Sequence, residues 1–92
     1  MSAAYAGLPG ADLVVAGLDD LAAGRESVAS LLIEIGAPRL TSLGVAVPHA
    51  LPLPEHRLYA LLARQDPGSA HSRYNSLLSR LVSFERALAC VR

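Results

Sequence analysis

The chain has 92 residues, of which 52% are apolar, and its eight acidic residues balance eight basic ones, so the formal net charge is zero. This length supports one domain, and the neutral balance argues against the strongly basic surface of a dedicated nucleic-acid binder. A single cysteine, Cys90, excludes an internal disulfide and a cysteine-rich metal site. So much apolar surface in a short chain favours an interface with a partner or a second copy.

The first ten residues are mostly small and end in the turn signal Pro9-Gly10. We therefore expect 1–10 to be a flexible segment and 11–92 to form a single helical domain. No positive charge precedes an apolar run here, and the longest uncharged run, 40–54, contains three prolines. These features predict no export signal, no membrane contact and a cytoplasmic location.

Helical spacing of apolar residues runs through 11–35. The residues that keep this spacing are Val14, Leu18, Leu21, Val28, Leu32 and Ile35. The register passes Gly24 without a phase shift, so we expect one long helix; the alternative is a break at Gly24, with acids in the first turn of a second helix. Gly17 and Gly24 share the inner face, where a missing side chain would let another helix approach closely.

Gly36 follows the last apolar residue of that pattern and predicts a helix end, and Pro38 favours the first turn of a short helix that Gly44 stops. A helix-turn-helix has a similar outline, with Arg39 facing DNA, but a corner between packed helices explains the same residues. Three prolines predict an extended course for 45–54, over the surface of the domain. His49, in this stretch, receives no role.

Two helices complete the prediction. Pro54 and Glu55 are typical of a first helical turn, and a short turn at 66–68 separates this helix from the last one, over 69–92. The last helix carries an apolar face at alternating steps of three and four, formed by Tyr74, Leu77, Leu81, Phe84, Leu88 and Val91 and widened by Leu78 and Val82. The fold class is therefore all-α: an irregular four-helix bundle with two long helices and a C-terminal helical hairpin.

Two charged residues interrupt the apolar faces of the two long helices. Arg25 falls between Leu18, Leu21 and Val28, and Glu85 falls between Leu81 and Leu88. A carboxylate in an apolar face is costly unless it finds a partner. We therefore predict a partly buried ion pair between Arg25 and Glu85; the alternative is that each side chain reaches water at the margin of its face.

Four arginines repeat at a spacing of seven: Arg57 and Arg64 on one predicted helix, Arg73 and Arg80 on the next. If the hairpin joins these flanks, the guanidinium groups form a cationic strip that could meet phosphates or an acidic protein. The alternative is a solvated face with local ion pairs. A nucleic-acid-associated regulator that uses this strip is the second functional hypothesis.

The sequence contains no metal-binding motif, no phosphate-binding glycine loop and no nucleophile elbow. His56 and His71 begin different arms of the predicted hairpin, which separates them. We therefore expect no catalysis, no cofactor and no metal. The first functional hypothesis is a non-catalytic helical interaction module that forms a homo-oligomer or binds a protein partner.

Overall fold

The computed structural model describes Tyr5, residues 7–48 and residues 53–91. In this part of the chain there are four α-helices and no strand, which confirms the all-α fold class. The helices are α1 (Ala11–Ala22), α2 (Val28–Ser42), α3 (Pro54–Gln65) and α4 (Ala70–Val91). None of them is both long enough and apolar enough to cross a membrane.

The predicted single helix over 11–35 is wrong, because the chain breaks between Ala22 and Val28. Gly24 has a φ of +75°, the left-handed conformation that glycine adopts readily, and turns the chain after α1. Ser27 then caps α2: its Oγ accepts a hydrogen bond from the amide of Ser30 at 3.0 Å, and its own amide donates to the Oγ of Ser30 at 2.7 Å. This reciprocal capping box begins a new helix even though the apolar register continues across the break.

The helix end predicted at Gly36 is also wrong. α2 continues through Gly36 and Pro38 to Ser42, so no separate short helix forms. Pro38 removes one backbone hydrogen-bond donor from the helix, and complete burial of Leu32 and Leu40 on either side helps to hold α2 together in spite of it. Gly36 is buried, and its lack of a side chain allows α4 to approach rather than ending the helix.

α1 and α2 form the closest helix contact. At Gly17 a Cβ atom would lie 2.5 Å from the carbonyl oxygen of Ala29 and 2.4 Å from Cγ1 of Ile33. Only glycine permits this approach of two backbones, so the expected role of Gly17 is confirmed. The same expectation is wrong for Gly24, which lies in the exposed turn with open space around it.

α2 contacts each of the other three helices, and α3 also packs on α4. Three consecutive residues of α2 are fully buried: Leu31, Leu32 and Ile33. The apolar core around them contains Val14 and Leu21 of α1, Leu58 and Leu62 of α3, and Ala70, Leu81, Phe84 and Leu88 of α4. The inner face predicted for the last helix is therefore the face that α4 buries, except that Val91 is 65% exposed.

The segments outside the helices also contribute to the core. Leu8 packs against it, and the ring of Tyr5 meets that of Phe84 edge to face, with centroids 5.5 Å apart. The flexibility expected over 1–10 stays a prediction, and residues 1–4 and 6 of this segment lie outside the described residues. After α2, Val45 is buried and Val47 partly buried, as predicted for a chain laid over the domain. His49 lies outside the described residues.

Candidate functional site

An open groove runs along the outer side of α4. It has a volume of about 510 Å³, and the described residues that line it all belong to this helix. They are Asn75, Leu78, Ser79, Val82, Ser83 and Arg86. Because these residues are spaced three or four apart, or directly adjacent, they share one side of α4. The buried face of α4 lies beside this groove, with Leu78 partly buried between the two.

The groove combines a small apolar surface with neutral polar groups. Val82 is 40% exposed although it continues the apolar pattern of α4, and Leu78 is half-buried. Around them lie two hydroxyl groups and one carboxamide, from Ser79, Ser83 and Asn75. Arg86 supplies the charge at one end. Such a surface can bury apolar area and form several hydrogen bonds with a partner at the same time.

Glu85, the residue before Arg86, lies on the buried side of α4 and is only 9% exposed. It faces α2 where Gly36 lacks a side chain: a Cβ atom at Gly36 would be 3.2 Å from Oε2 of Glu85 and 2.9 Å from Cδ2 of Leu81. Burial raises the pKa of the Glu85 carboxyl group above its ordinary 4.5, and the positive charge of Arg39 on α2 opposes this rise. The sequence pattern therefore located this buried carboxylate correctly.

Arg25, however, is not the partner of Glu85. The break between α1 and α2 places Arg25 in the exposed turn, where its side chain is 65% accessible and its Nη2 lies 2.8 Å from Oδ1 of Asp20. Asp20 also accepts a hydrogen bond from Ser27 Oγ at 2.6 Å. The bonds from Ser27 and Arg25 lower the pKa of Asp20. The prediction failed because it assumed continuous helical phase through Gly24.

The four arginines of the predicted strip have separate surroundings. Arg80 lies 3.2 Å from Oδ1 of Asp12, on α1, and Arg57 forms ion pairs with Glu26 and Glu34. Arg64 is exposed and Arg73 partly buried, and the structure shows no ion pair for either within the described residues. Two of the four guanidinium groups are thus directed to acids of the chain itself, as in the alternative of local ion pairs.

Arg57 joins α3 to α2 and to the turn before it. Its Nη1 donates to Oε1 of Glu34 at 3.4 Å, and its Nη2 donates to Oε1 of Glu26. The Glu34 side chain is 2% exposed and that of Glu26 is 50% exposed. The hydrogen bond to Glu26 is the main cause that raises the pKa of Arg57, with smaller contributions from the charges of Glu26 and Glu34. A buried carboxylate needs such a cation, so this cluster fixes α3 on α2.

Sequence reasoning missed this cluster and the acid that binds Arg80. Glu34 interrupts the apolar run from Leu31 to Ile35 in α2. A charged residue inside such a run was the available signal for a buried carboxylate. Glu26 gave no such signal, because its approach to Arg57 depends on the turn at Gly24. Asp12 lies in the first turn of α1, where an acid is ordinary, so its contact with α4 could not be read from the pattern.

Within the described ranges, no three His, Cys, Asp or Glu side chains lie close enough together to hold a metal ion.

The rings of Tyr59 and Tyr74 pack across α3 and α4 with centroids 5.5 Å apart. Burial raises the pKa of Tyr74, and the charge of Glu55 raises it further. Cys90 is exposed.

Comparison with protein-family models, with curated proteins and with solved structures finds no match to this chain. Its function is therefore inferred from the groove on α4 and from the charges and buried groups around it.

Proposed function

We propose that this chain is a non-catalytic helical interaction module that self-associates through the groove on α4. The observation that carries the proposal is the composition of the groove: exposed Val82 and half-buried Leu78 among three neutral side chains that can each donate and accept hydrogen bonds. The domain behind it is proposed to be an irregular four-helix bundle in which α2 is the central helix. A reducing compartment such as the cytoplasm suits the exposed thiol of Cys90.

A second copy of the chain suits this groove because the groove complements itself. In a two-fold symmetric interface the same patch faces its own copy. Hydroxyl and carboxamide groups can bond to identical groups, whereas a patch of like charges would repel its copy. Asn75, Ser79 and Ser83 meet this requirement.

The position of Arg86 favours an antiparallel pairing of the two α4 helices. Asn75 and Arg86 lie at opposite ends of the groove, about 16 Å apart at a rise of 1.5 Å per residue. With a two-fold axis near the middle of the groove, Arg86 of one copy lies beside the Asn75 carboxamide of the other. The two guanidinium groups then remain far apart, and Val82 and Ser79 lie near the axis, where they contact the second copy.

Light scattering over a range of protein concentrations tests the proposal. The wild-type mass should rise from the chain mass of 9.6 kDa toward twice that value. Val82→Glu should hold the mass at 9.6 kDa, because it places two carboxylates near the axis, whereas the control Ala60→Glu, at an exposed position of α3, should behave as wild type. Ser79→Arg provides a second disrupting variant. A wild-type protein that stays monomeric at every concentration would overturn the proposal.

The second hypothesis, a nucleic-acid contact through Arg57, Arg64, Arg73 and Arg80, gains no support from the geometry. Arg57 and Arg80 contact acids of other helices or turns, so a phosphate would have to compete with a carboxylate at both positions. We therefore propose self-association alone.

A further inference from the structure

Glu85 occupies an unusual position for a carboxylate. It lies at the contact between α2 and α4, is 9% exposed, and packs toward the bare backbone of Gly36 beside Leu81. The described residues provide it with no hydrogen bond and no ion pair, which distinguishes it from Glu34, the other buried acid, whose carboxylate meets Arg57. Because the Glu85 side chain is largely buried without such a partner, its charged form loses more solvation on folding than its neutral form does.

Among the charged groups of the neighbouring elements, one cation acts on Glu85 through its charge without forming an ion pair with it. From α2, Arg39 acts on it through its charge, and Arg39 is exposed. From α1, Asp12 is directed to Arg80. On α3, Arg57 is directed to Glu26 and Glu34, and the charge of Glu55 acts on Tyr74. On α4 itself, the adjacent Arg86 lines the outer groove.

We propose that Glu85 is a proton-dependent latch between α2 and α4: uptake of one proton strengthens the contact at Gly36, and ionisation weakens it. In the protonated state the side chain is neutral and fits the apolar contact beside Leu81. In the ionised state the carboxylate favours any opening of α4 that admits water. The proposal concerns the inner face of α4 and does not depend on self-association through the outer groove.

The direction of the pH dependence follows from the raised pKa of Glu85. Between the unfolded value of about 4.5 and the higher folded value, the folded state binds more protons than the unfolded state. The stabilisation is therefore complete below the unfolded pKa and is lost as the pH rises through the folded pKa. Each unit of pKa difference corresponds to a tenfold decrease in the folding equilibrium constant at neutral pH.

Urea unfolding from pH 4 to pH 8 tests the latch with Glu85→Gln, which mimics the neutral side chain. At pH 7 the variant should have a higher urea midpoint than wild type, and the difference should shrink to zero at or below pH 4. Glu55→Gln is the control, because Glu55 is exposed in the first turn of α3, where its charge favours the helix. This control should not raise the midpoint at pH 7.

Amide hydrogen exchange of α4 provides a second readout. Amides near Leu81 and Glu85 should exchange more slowly in Glu85→Gln than in wild type at pH 7, after correction for the intrinsic rate. Repeating both measurements in the Val82→Glu background separates the latch from dimer formation. A Glu85→Gln variant that is less stable than wild type at pH 7, or a difference that does not vary with pH, would overturn the proposal.

Discussion

Two glycines bring α2 against neighbouring helices, and the two contacts differ in what a side chain would meet. At Gly17 the nearest atoms include the backbone carbonyl of Ala29, at 2.5 Å from a Cβ atom. At Gly36 they are the ends of two side chains, Leu81 and Glu85, at 2.9 and 3.2 Å. Backbone atoms inside a helix cannot move independently, whereas the ends of side chains can. The contact of α1 with α2 is therefore rigid, and that of α4 with α2 is adjustable.

The largest expected effect is that of Gly17→Ala. The new methyl group overlaps the Ala29 carbonyl, so the two helices must separate, and we expect a loss of about 3 kcal/mol in the free energy of unfolding despite the better helix propensity of alanine. Urea denaturation measures this loss. Cγ1 of Ile33 is the other atom close to the new methyl group. Adding Ile33→Ala removes this atom and should not restore stability, because the overlap with the Ala29 carbonyl remains. Recovery in the double variant would show that the side chain, rather than the backbone, sets this contact.

A smaller effect is expected at the polar contact of α2, where Arg57 meets the buried Glu34. Arg57→Met keeps the apolar part of the side chain but removes the cation 3.4 Å from the Glu34 carboxylate. We expect a loss of about 2 kcal/mol in the free energy of unfolding, the scale of a hydrogen bond to a charged group. Glu26→Gln is the matched control and should cost less than about 0.5 kcal/mol, since the Glu26 side chain is 50% exposed. Equal losses in the two variants would contradict this assignment.

The smallest of the three expected effects on the free energy of unfolding is that of Gly36→Ala, which probes the adjustable contact between α2 and α4 directly. We expect a loss of about 1 kcal/mol, because displacement of Leu81 and Glu85 relieves most of the overlap. Combined with Leu81→Ala, it should cost less than the sum of the single changes, since the two residues share one contact. Combined with Leu62→Ala, a buried position on α3, the costs should add. Additivity in both pairs would show that Gly36 and Leu81 are not coupled.

The sequence predicted the periodic parts of this fold and missed those that depend on local turns. The apolar face of α4, the buried position of Glu85 and the close approach at Gly17 could all be read from helical spacing. A break at Gly24 was the alternative to one long helix, and the structure confirms that break. Helical spacing did not favour it, because the same apolar register continues on both sides of Gly24 and the interruption depends on the capping geometry of Ser27. Arg25 was misplaced for this reason.

For the groove, spacing identified the apolar residues but not their exposure. Leu78 and Val82 were assigned to the margin of the apolar face, and whether a marginal position is covered depends on how α2 and α3 lie across α4. Gly36 was misread for a related reason. Its usual meaning at a helix end competes with its use at a close contact, and only the packing of Leu81 distinguishes the two.

The pKa of Glu85 in the folded protein is the most direct test of the proton-dependent latch at the contact between α2 and α4. It can be measured from the side-chain carboxyl ¹³C shift of labelled protein during a pH titration. The account predicts a midpoint above the ordinary value of 4.5, and a further rise in Arg39→Gln. A midpoint at or below 4.5 would show that the carboxylate is solvated or paired when the protein is folded, and would contradict the account.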